Sequence, residues 1–182
     1  MEKINTDTFT GPSFGLVNRL ARAAWGLCWL LLFRPSPRPF HAWRSLLLRC
    51  FGAEVGRGVH VYPGARIWAP WNLRLADESS IADGATVYSQ ALIQIGRRAV
   101  ISQGVHLCTG THDYTDRRMP LVTKPIVIGA EAWLTAECFV MPGITIGEGA
   151  VIGVRAVVTK DMPAWHVCAG HPCVPLKPRA YR

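Results

Sequence analysis

Val140-Met-Pro-Gly-Ile-Thr-Ile146-Gly-Glu-Gly-Ala-Val-Ile152-Gly-Val-Arg-Ala-Val-Val158 decides the fold, because an aliphatic residue returns in it at every sixth position. The same beat runs through Val55, Val61 and Ile67, then Ile81 and Val87, then Ile95, Ile101 and Leu107, and it resumes at Ile128 and Leu134. Glycine follows the aliphatic at Gly96, Gly129, Gly147 and Gly153, or stands three places after it at Gly64, Gly84, Gly104 and Gly143. Ala65, Ala85, Ala99, Ala132, Cys138, Ala150 and Ala156 hold the fourth place after it. A period of two would mark a strand and a period of 3.6 a helix, whereas a period of six marks a β-solenoid. Each hexad supplies one short flat strand and a turn. The aliphatic points inward onto its counterpart three hexads later, so the pattern predicts three-sided coils of about 18 residues.

Around this all-β body the chain divides into an N-terminal helical segment over residues 1–53, the solenoid over 54–163, and a C-terminal tail over 164–182. With 182 residues, 49% hydrophobic and only 18% charged, the sequence excludes disorder as the main state. A formal charge of +8 favours anionic partners. The arginines are interleaved with apolar helix residues and no RNA or DNA module is present, so nucleic acid is not the expected one. Six cysteines without a CxxC pair sit mostly among aliphatics and read as buried free thiols in a reducing compartment.

Residues 1–12 are polar and predicted to be loose. Ser13 is a candidate N-cap for a helix over residues 14–33, with Phe14, Val17, Ala21, Ala24, Cys28 and Leu31 on one side and Asn18, Arg19 and Arg22 towards the other. Its apolar run, Ala23 to Phe33, is 11 residues and too short for a simple span of about 20. Arg34-Pro35-Ser36-Pro37-Arg38-Pro39 follows it where a signal peptide would carry a cleavage site, so a cytoplasmic protein is expected. A second helix from Phe40 to Phe51, with Trp43, Leu46, Leu47 and Cys50 on one side, should stop at Gly52. Two roles are open for the pair. They cap the solenoid, or they lie peripherally on the inner face of a membrane through residues 14–33 and their arginines.

Leu107-Cys-Thr-Gly-Thr-His-Asp-Tyr-Thr115, Pro125-Ile-Val-Ile-Gly-Ala-Glu-Ala-Trp133, Met141-Pro-Gly-Ile-Thr-Ile-Gly147, Val158-Thr-Lys-Asp-Met-Pro163 and Ala169-Gly-His-Pro172 occur in that order. On these motifs the chain resembles the hexapeptide-repeat acyltransferases, within the group that acetylates maltose, galactosides and nodulation factors. With Leu31-Leu-Phe-Arg-Pro-Ser-Pro-Arg-Pro-Phe-His-Ala-Trp43 and Ile67-Trp-Ala-Pro-Trp-Asn-Leu73 added, it is most similar to acetyltransferases of colanic acid biosynthesis. The resemblance implies a left-handed parallel β-helix, a homotrimer with CoA between subunits, acetyl-CoA as donor and no metal. The implied acceptor is a glycosyl hydroxyl in an exopolysaccharide or its lipid-linked repeat unit, with a small-molecule or xenobiotic hydroxyl as the alternative.

The repeat breaks once on a large scale, over residues 113–125, and His112 stands at the base of that excursion. A loop thrown out of a regular scaffold is where function concentrates. By resemblance His112 is the general base, and imidazole suits the removal of a hydroxyl proton near neutral pH. The resemblance further places Trp133 near the thioester, Ala136 and Val154 along the pantetheine, and Thr159 and Lys160 farther out, while Lys177 or Arg179 is the candidate to take over the phosphate contact that a basic residue at position 174 would make. The chain departs from the family pattern in Leu134-Thr135-Ala136 for Ile-Gly-Ser, Val154-Arg155 for Ala-Gly, and Val174 where a basic residue is common. Tyr88, Ser89 and Gln90 stand nearest the family's acceptor asparagine, and Asp113 beside the base completes the candidate acceptor residues. Two other readings remain. One is a γ-carbonic-anhydrase-like metalloenzyme, although no third histidine accompanies His106 and His112; the other is a non-catalytic scaffold.

Overall fold

A computed structural model describes residues 2–4 and 7–180 of the chain. The hexads form short parallel strands on three faces. Glu54–Val55, Leu73–Leu75, Ile93–Ile95, Ile126–Ile128 and Thr145–Ile146 make the first face. His60–Val61, Ser80–Ile81, Val100–Ile101, Trp133–Leu134 and Val151–Ile152 make the second. Arg66–Ile67, Thr86–Tyr88, His106–Cys108, Phe139–Val140 and Val157–Val158 make the third. Val61, Ile81, Ile101, Leu134 and Ile152 register one on the next and are all fully buried. The small residues at the fourth place, from Ala65 to Ala156, are buried beside them.

The uniform 18-residue coil is corrected by the register. Val61 pairs with Ile81 and Ile81 with Ile101, each 20 positions on, and Ile101 pairs with Leu134, 33 positions on. Only later, from Leu134 to Ile152, is the spacing 18. All the surplus falls at the corner between the third and first faces, where the residues after Ile67, Val87 and Leu107 make the longer crossings. Strands Leu73–Leu75, Ile93–Ile95 and Ile126–Ile128 each turn two aliphatics inward and so absorb the added length. The corner's own polar groups are closed by side chains. Ser89 Oγ donates to Ala69 O and accepts from Ala69 N–H, Asn72 Nδ2 donates to the Ser89 and Gln90 carbonyls, and Thr109 Oγ1 donates to Tyr88 O.

Backbone hydrogen bonds join each coil to the next in both directions, and Glu78 and Gly84 N–H donate back to the Arg57 and Gly64 carbonyls. Gly56, Tyr62 and Arg66 N–H donate to the Leu75, Ile81 and Ala85 carbonyls of the next coil, at 2.8–2.9 Å, and the following coils repeat this. The first coil has no coil beneath it to serve its Val55, Val61, Ala65 and Ile67 carbonyls, and an orphaned buried carbonyl is costly. The N-terminal helices bring the missing donors. Helix α1 (Leu16–Cys28), continued by a π-helical turn Trp29–Phe33, places Trp25 Nε1 on Ile67 O at 2.7 Å and Trp29 Nε1 on Ala65 O at 2.9 Å. Helix α2 (His41–Cys50) sends the buried Arg44 Nε to Val61 O at 2.6 Å and Arg49 Nη2 to Val55 O at 2.7 Å. Arg44 also binds Ser36 Oγ and the Pro37 and Arg38 carbonyls, which fixes the proline-rich link between the helices. Gly52, at φ +86°, makes the left-handed turn that ends α2.

This packing corrects the expected helix faces. The inward side of α1 is Asn18, Arg22, Trp25, Trp29 and Phe33, while Val17, Ala24 and Leu31 point outward. On α2, Arg44, Ser45, Leu47 and Leu48 are buried and Trp43, Leu46 and Cys50 are not. No side chain caps α1, so Ser13 is not its N-cap. The 11-residue apolar run sits within an 18-residue helix, Leu16–Phe33, that is long and apolar enough to cross a membrane by length and composition. Residues 2–4, predicted loose, form a strand on Leu121–Thr123. Residues 166–178, predicted as tail, form an antiparallel hairpin that joins the second face through Val151–Ile152. All six cysteines are free thiols. Cys138, Cys168 and Cys173 are buried, and burial pushes Cys138 up to about 12 and Cys173 to about 11.

Trp25→Phe keeps the ring but removes the N–H that serves Ile67 O. It is expected to lower stability by about 1–3 kcal/mol, the cost of an unsatisfied buried acceptor, read as a fall in unfolding midpoint in denaturant. An unchanged midpoint would show that the indole acts by packing alone.

Candidate active site

His112 lies on the strand Gly110–His112, which pairs antiparallel with Leu121–Thr123, so the excursion is a β-hairpin carrying the loop 113–120. The hairpin's base is tied to the solenoid by Lys124 N–H to Thr109 O at 2.9 Å. His112 is half-buried, and its Nδ1 is 2.7 Å from the Met119 carbonyl. A carbonyl only accepts, so Nδ1 carries the proton and Nε2 is left with its lone pair free to take one. Met119 reaches this pose at φ +45°, and its carbonyl also accepts from Thr8 Oγ1 at 2.6 Å. Thr8 N–H donates to Arg118 O, so the chain's first residues hold the far side of the loop. Neither partner of the imidazole system was visible in the sequence, since any residue offers a carbonyl and Thr8 is remote from the repeat.

Asp113 caps the loop turn, its Oδ1 accepting from Thr115 N–H and Oγ1. Tyr88 sits on the third face directly under Cys108, and its hydroxyl accepts from Gln90 Nε2 at 2.9 Å. Gln90 Oε1 packs so closely on Gly110 that a Cβ there would strike it, which joins Tyr88 and Gln90 to the strand bearing His112. Ser89 is corrected to a structural residue: it is fully buried and its hydroxyl is committed to Ala69. His106 lies on the third face against Phe139, ring centroids 4.7 Å apart, and burial lowers its pKa, which favours the neutral ring. Among the described residues no three histidine, cysteine or acidic side chains group to hold a metal.

The remaining candidates do not share one cavity. Trp133 and Arg179 line a cavity of about 550 Å³ on the second face with Arg98, which the sequence reading passed over. Trp133 Nε1 donates to Ser102 Oγ there, and Arg179 Nη1 donates to the Glu131 and Gly149 carbonyls. Ala136 and Val154 occupy equivalent places in successive coils at the corner between second and third faces, where Arg155 N–H donates to Ala136 O. Thr159 and Lys160, both exposed, leave the third face at the corner that also releases the His112 hairpin. Lys177 is exposed on the final strand.

The chain is 40% identical over 162 residues to the Escherichia coli K12 protein WcaF, named as an acetyltransferase of colanic acid biosynthesis, covering 89% of each. It belongs to the hexapeptide-repeat acetyltransferases. No protein-family model matches it. The structure of a maltose O-acetyltransferase from Clostridium difficile 630 superposes with a TM-score of 0.84 at 25% identity, covering 92% of this chain and 90% of that one. The Vibrio cholerae hexapeptide-repeat acetyltransferase VCA0836, solved with acetyl-CoA, has the same fold at a TM-score of 0.83 and 23% identity over 93% of each chain. The solenoid of this acetyltransferase is thus the left-handed parallel β-helix of its family.

For this acetyltransferase, Ser89→Ala is expected to cost about 1–3 kcal/mol through the unpaired Ala69 groups, with acceptor KM unchanged in the folded enzyme. A raised KM at unchanged stability would return Ser89 to the binding site.

Proposed function

We propose that the protein transfers the acetyl group of acetyl-CoA to a sugar hydroxyl of an exopolysaccharide or its repeat unit, with His112 as general base. The observation that carries this is the Met119 carbonyl on His112 Nδ1, which leaves Nε2 basic and fixes its direction. Nε2 takes the hydroxyl proton as the oxygen attacks the thioester carbonyl. The C–S bond then breaks, the proton passes to the departing CoA sulfur, and an acetyl ester and free CoA remain. Backbone N–H groups stabilise the oxyanion, and no covalent enzyme intermediate is needed.

A homotrimer completes the site in this reading. His112, Thr159 and Lys160 belong to one edge of the solenoid, Ala136 and Val154 to the next, and Trp133 to a different face. A neighbouring copy that sets its second-face edge beside the His112 edge brings donor and base together. The exposed Val100 and Trp133, paired across adjacent strands of the second face, are apolar surface for such a contact.

The protein works in the cytoplasm on the inner face of the membrane, resting on it through α1. Leu16, Val17, Leu20, Leu27, Leu30 and Leu31 are more than half exposed along a helix whose other side Trp25 and Trp29 fasten to the solenoid. That is the arrangement of an interfacial helix rather than a spanning one, and Arg19 and Arg34 at its ends complement anionic headgroups.

His112→Ala is expected to lower turnover by about 10² to 10⁴ with fold and CoA affinity retained, whereas His106→Ala does far less; near-normal turnover would remove His112 from the chemistry. Leu27→Glu with Leu31→Glu should abolish co-sedimentation with anionic liposomes and leave activity on a soluble acceptor intact. Undiminished binding of that variant would exclude α1 as the contact.

A further inference from the structure

A cavity of about 440 Å³ lies between α1 and the first two strands of the third face, lined among others by Arg22, Arg34, Arg66, Trp29, Trp68 and Tyr88. That volume is in the range of small-molecule sites. Three arginines line the cavity and no lining residue is acidic. Among the described residues, none of the three arginines takes part in an ion pair. Arg22 lies 4.5 Å over the Trp68 ring and Arg34 lies 5.5 Å over the Trp29 ring. Stacking of this kind holds the guanidinium plane while leaving N–H donors at its edge for a bidentate oxyanion. The asparagine Asn18 takes only Arg22 Nε.

The place of the cavity along the solenoid says what it serves. Its strands, Arg66–Ile67 and Thr86–Tyr88, precede the coil that carries His112, whereas Trp133, Val154 and Lys160 belong to the coils that follow it. The groove and the donor candidates thus lie on opposite sides of the base along the axis. Tyr88 forms one wall of the groove and reaches Gly110, two residues from His112, through Gln90. We infer that this groove is the acceptor's anion subsite: it holds the phosphate or diphosphate of a glycosyl acceptor, with the sugar directed past Tyr88 towards His112. This rests on the acetyl transfer proposed above. A nucleotide and a lipid both carry sugars on a diphosphate, and the shared oxyanion is what the arginines recognise.

Titration calorimetry with inorganic pyrophosphate on the full-length protein tests the subsite without reading acetyl transfer, so its outcome stands apart from that of the proposed reaction. Pyrophosphate is expected to bind the wild type, and Arg66→Gln or Arg34→Gln to weaken it roughly tenfold to a hundredfold, the effect of losing one charge-assisted contact. Both side chains are exposed, so neither variant disturbs the core. Arg57→Gln, an exposed arginine outside the groove, should bind as the wild type does. Acetyl-CoA should not displace pyrophosphate. Displacement by a soluble UDP-hexose would identify a nucleotide carrier, and displacement only by farnesyl diphosphate in vesicles a lipid one. No binding to the wild type, equal binding by both groove variants, or displacement by acetyl-CoA would each overturn the assignment.

Discussion

Each coil of this solenoid is completed by backbone hydrogen bonds to the coils on either side, donated in both directions, as in Gly56 N–H to Leu75 O and Glu78 N–H to Arg57 O. The first coil has no coil beneath it, so its carbonyls at Val55, Val61, Ala65 and Ile67 must find donors elsewhere. The N-terminal helices answer with the two indoles of Trp25 and Trp29, the guanidiniums of Arg44 and Arg49 and the imidazole of His41, all aimed at carbonyls of residues 55–67. The last coil is closed differently, by a hairpin whose own two strands pair with each other. Fully buried Arg44 is the extreme case. It has carbonyl and hydroxyl partners and, among the described residues, no carboxylate within hydrogen-bond reach, which suits a group recruited to satisfy backbone rather than to make an ion pair.

The second constraint is that every coil must return its aliphatics to the same rungs. Extra residues can leave the stack only where they disturb no rung, and here they leave at the corner between third and first faces in three successive coils. In the first two the surplus is small enough to be closed by Asn72 and Ser89, while in the third it grows into the hairpin of His112. His112 therefore stands on an elaboration of a corner already loosened beneath it, and Thr109 closes the same corner immediately before the hairpin departs.

The aliphatic beat made the three faces legible, because within a coil each six-residue step, as from Val55 to Val61 to Ile67, carries the chain from one wall to the next. It hid the coil length, since a surplus between Ile67 and Leu75 leaves the hexads on either side intact. The helix faces were misread for a physical reason. Apolar spacing suggested Val17, Ala24 and Leu31 as the buried side, but α1 meets strand ends that need N–H donors, and Arg22, Trp25 and Trp29 serve them or the groove instead. His112 was legible through its motif at the break in the repeat. Its Met119 partner was not, because backbone carbonyls carry no sequence signal, and neither was the groove, whose arginines are separated by up to 44 positions.

The chain's first fifty residues thus act at two places on the solenoid. Residues 2–4 and Thr8 brace the hairpin from outside, sharing the Met119 carbonyl with His112, while α1 and α2 seal the first coil and wall the arginine groove. The solenoid core between these points is too regular to transmit much change, since its rungs are packed in register and fully buried. The short connection of residues 9–15 links Thr8 to α1. The segment that satisfies the open end of the fold is in this way the same one that braces the Met119 carbonyl on which His112 rests, so the integrity of the first coil and the orientation of the imidazole depend on one stretch of sequence.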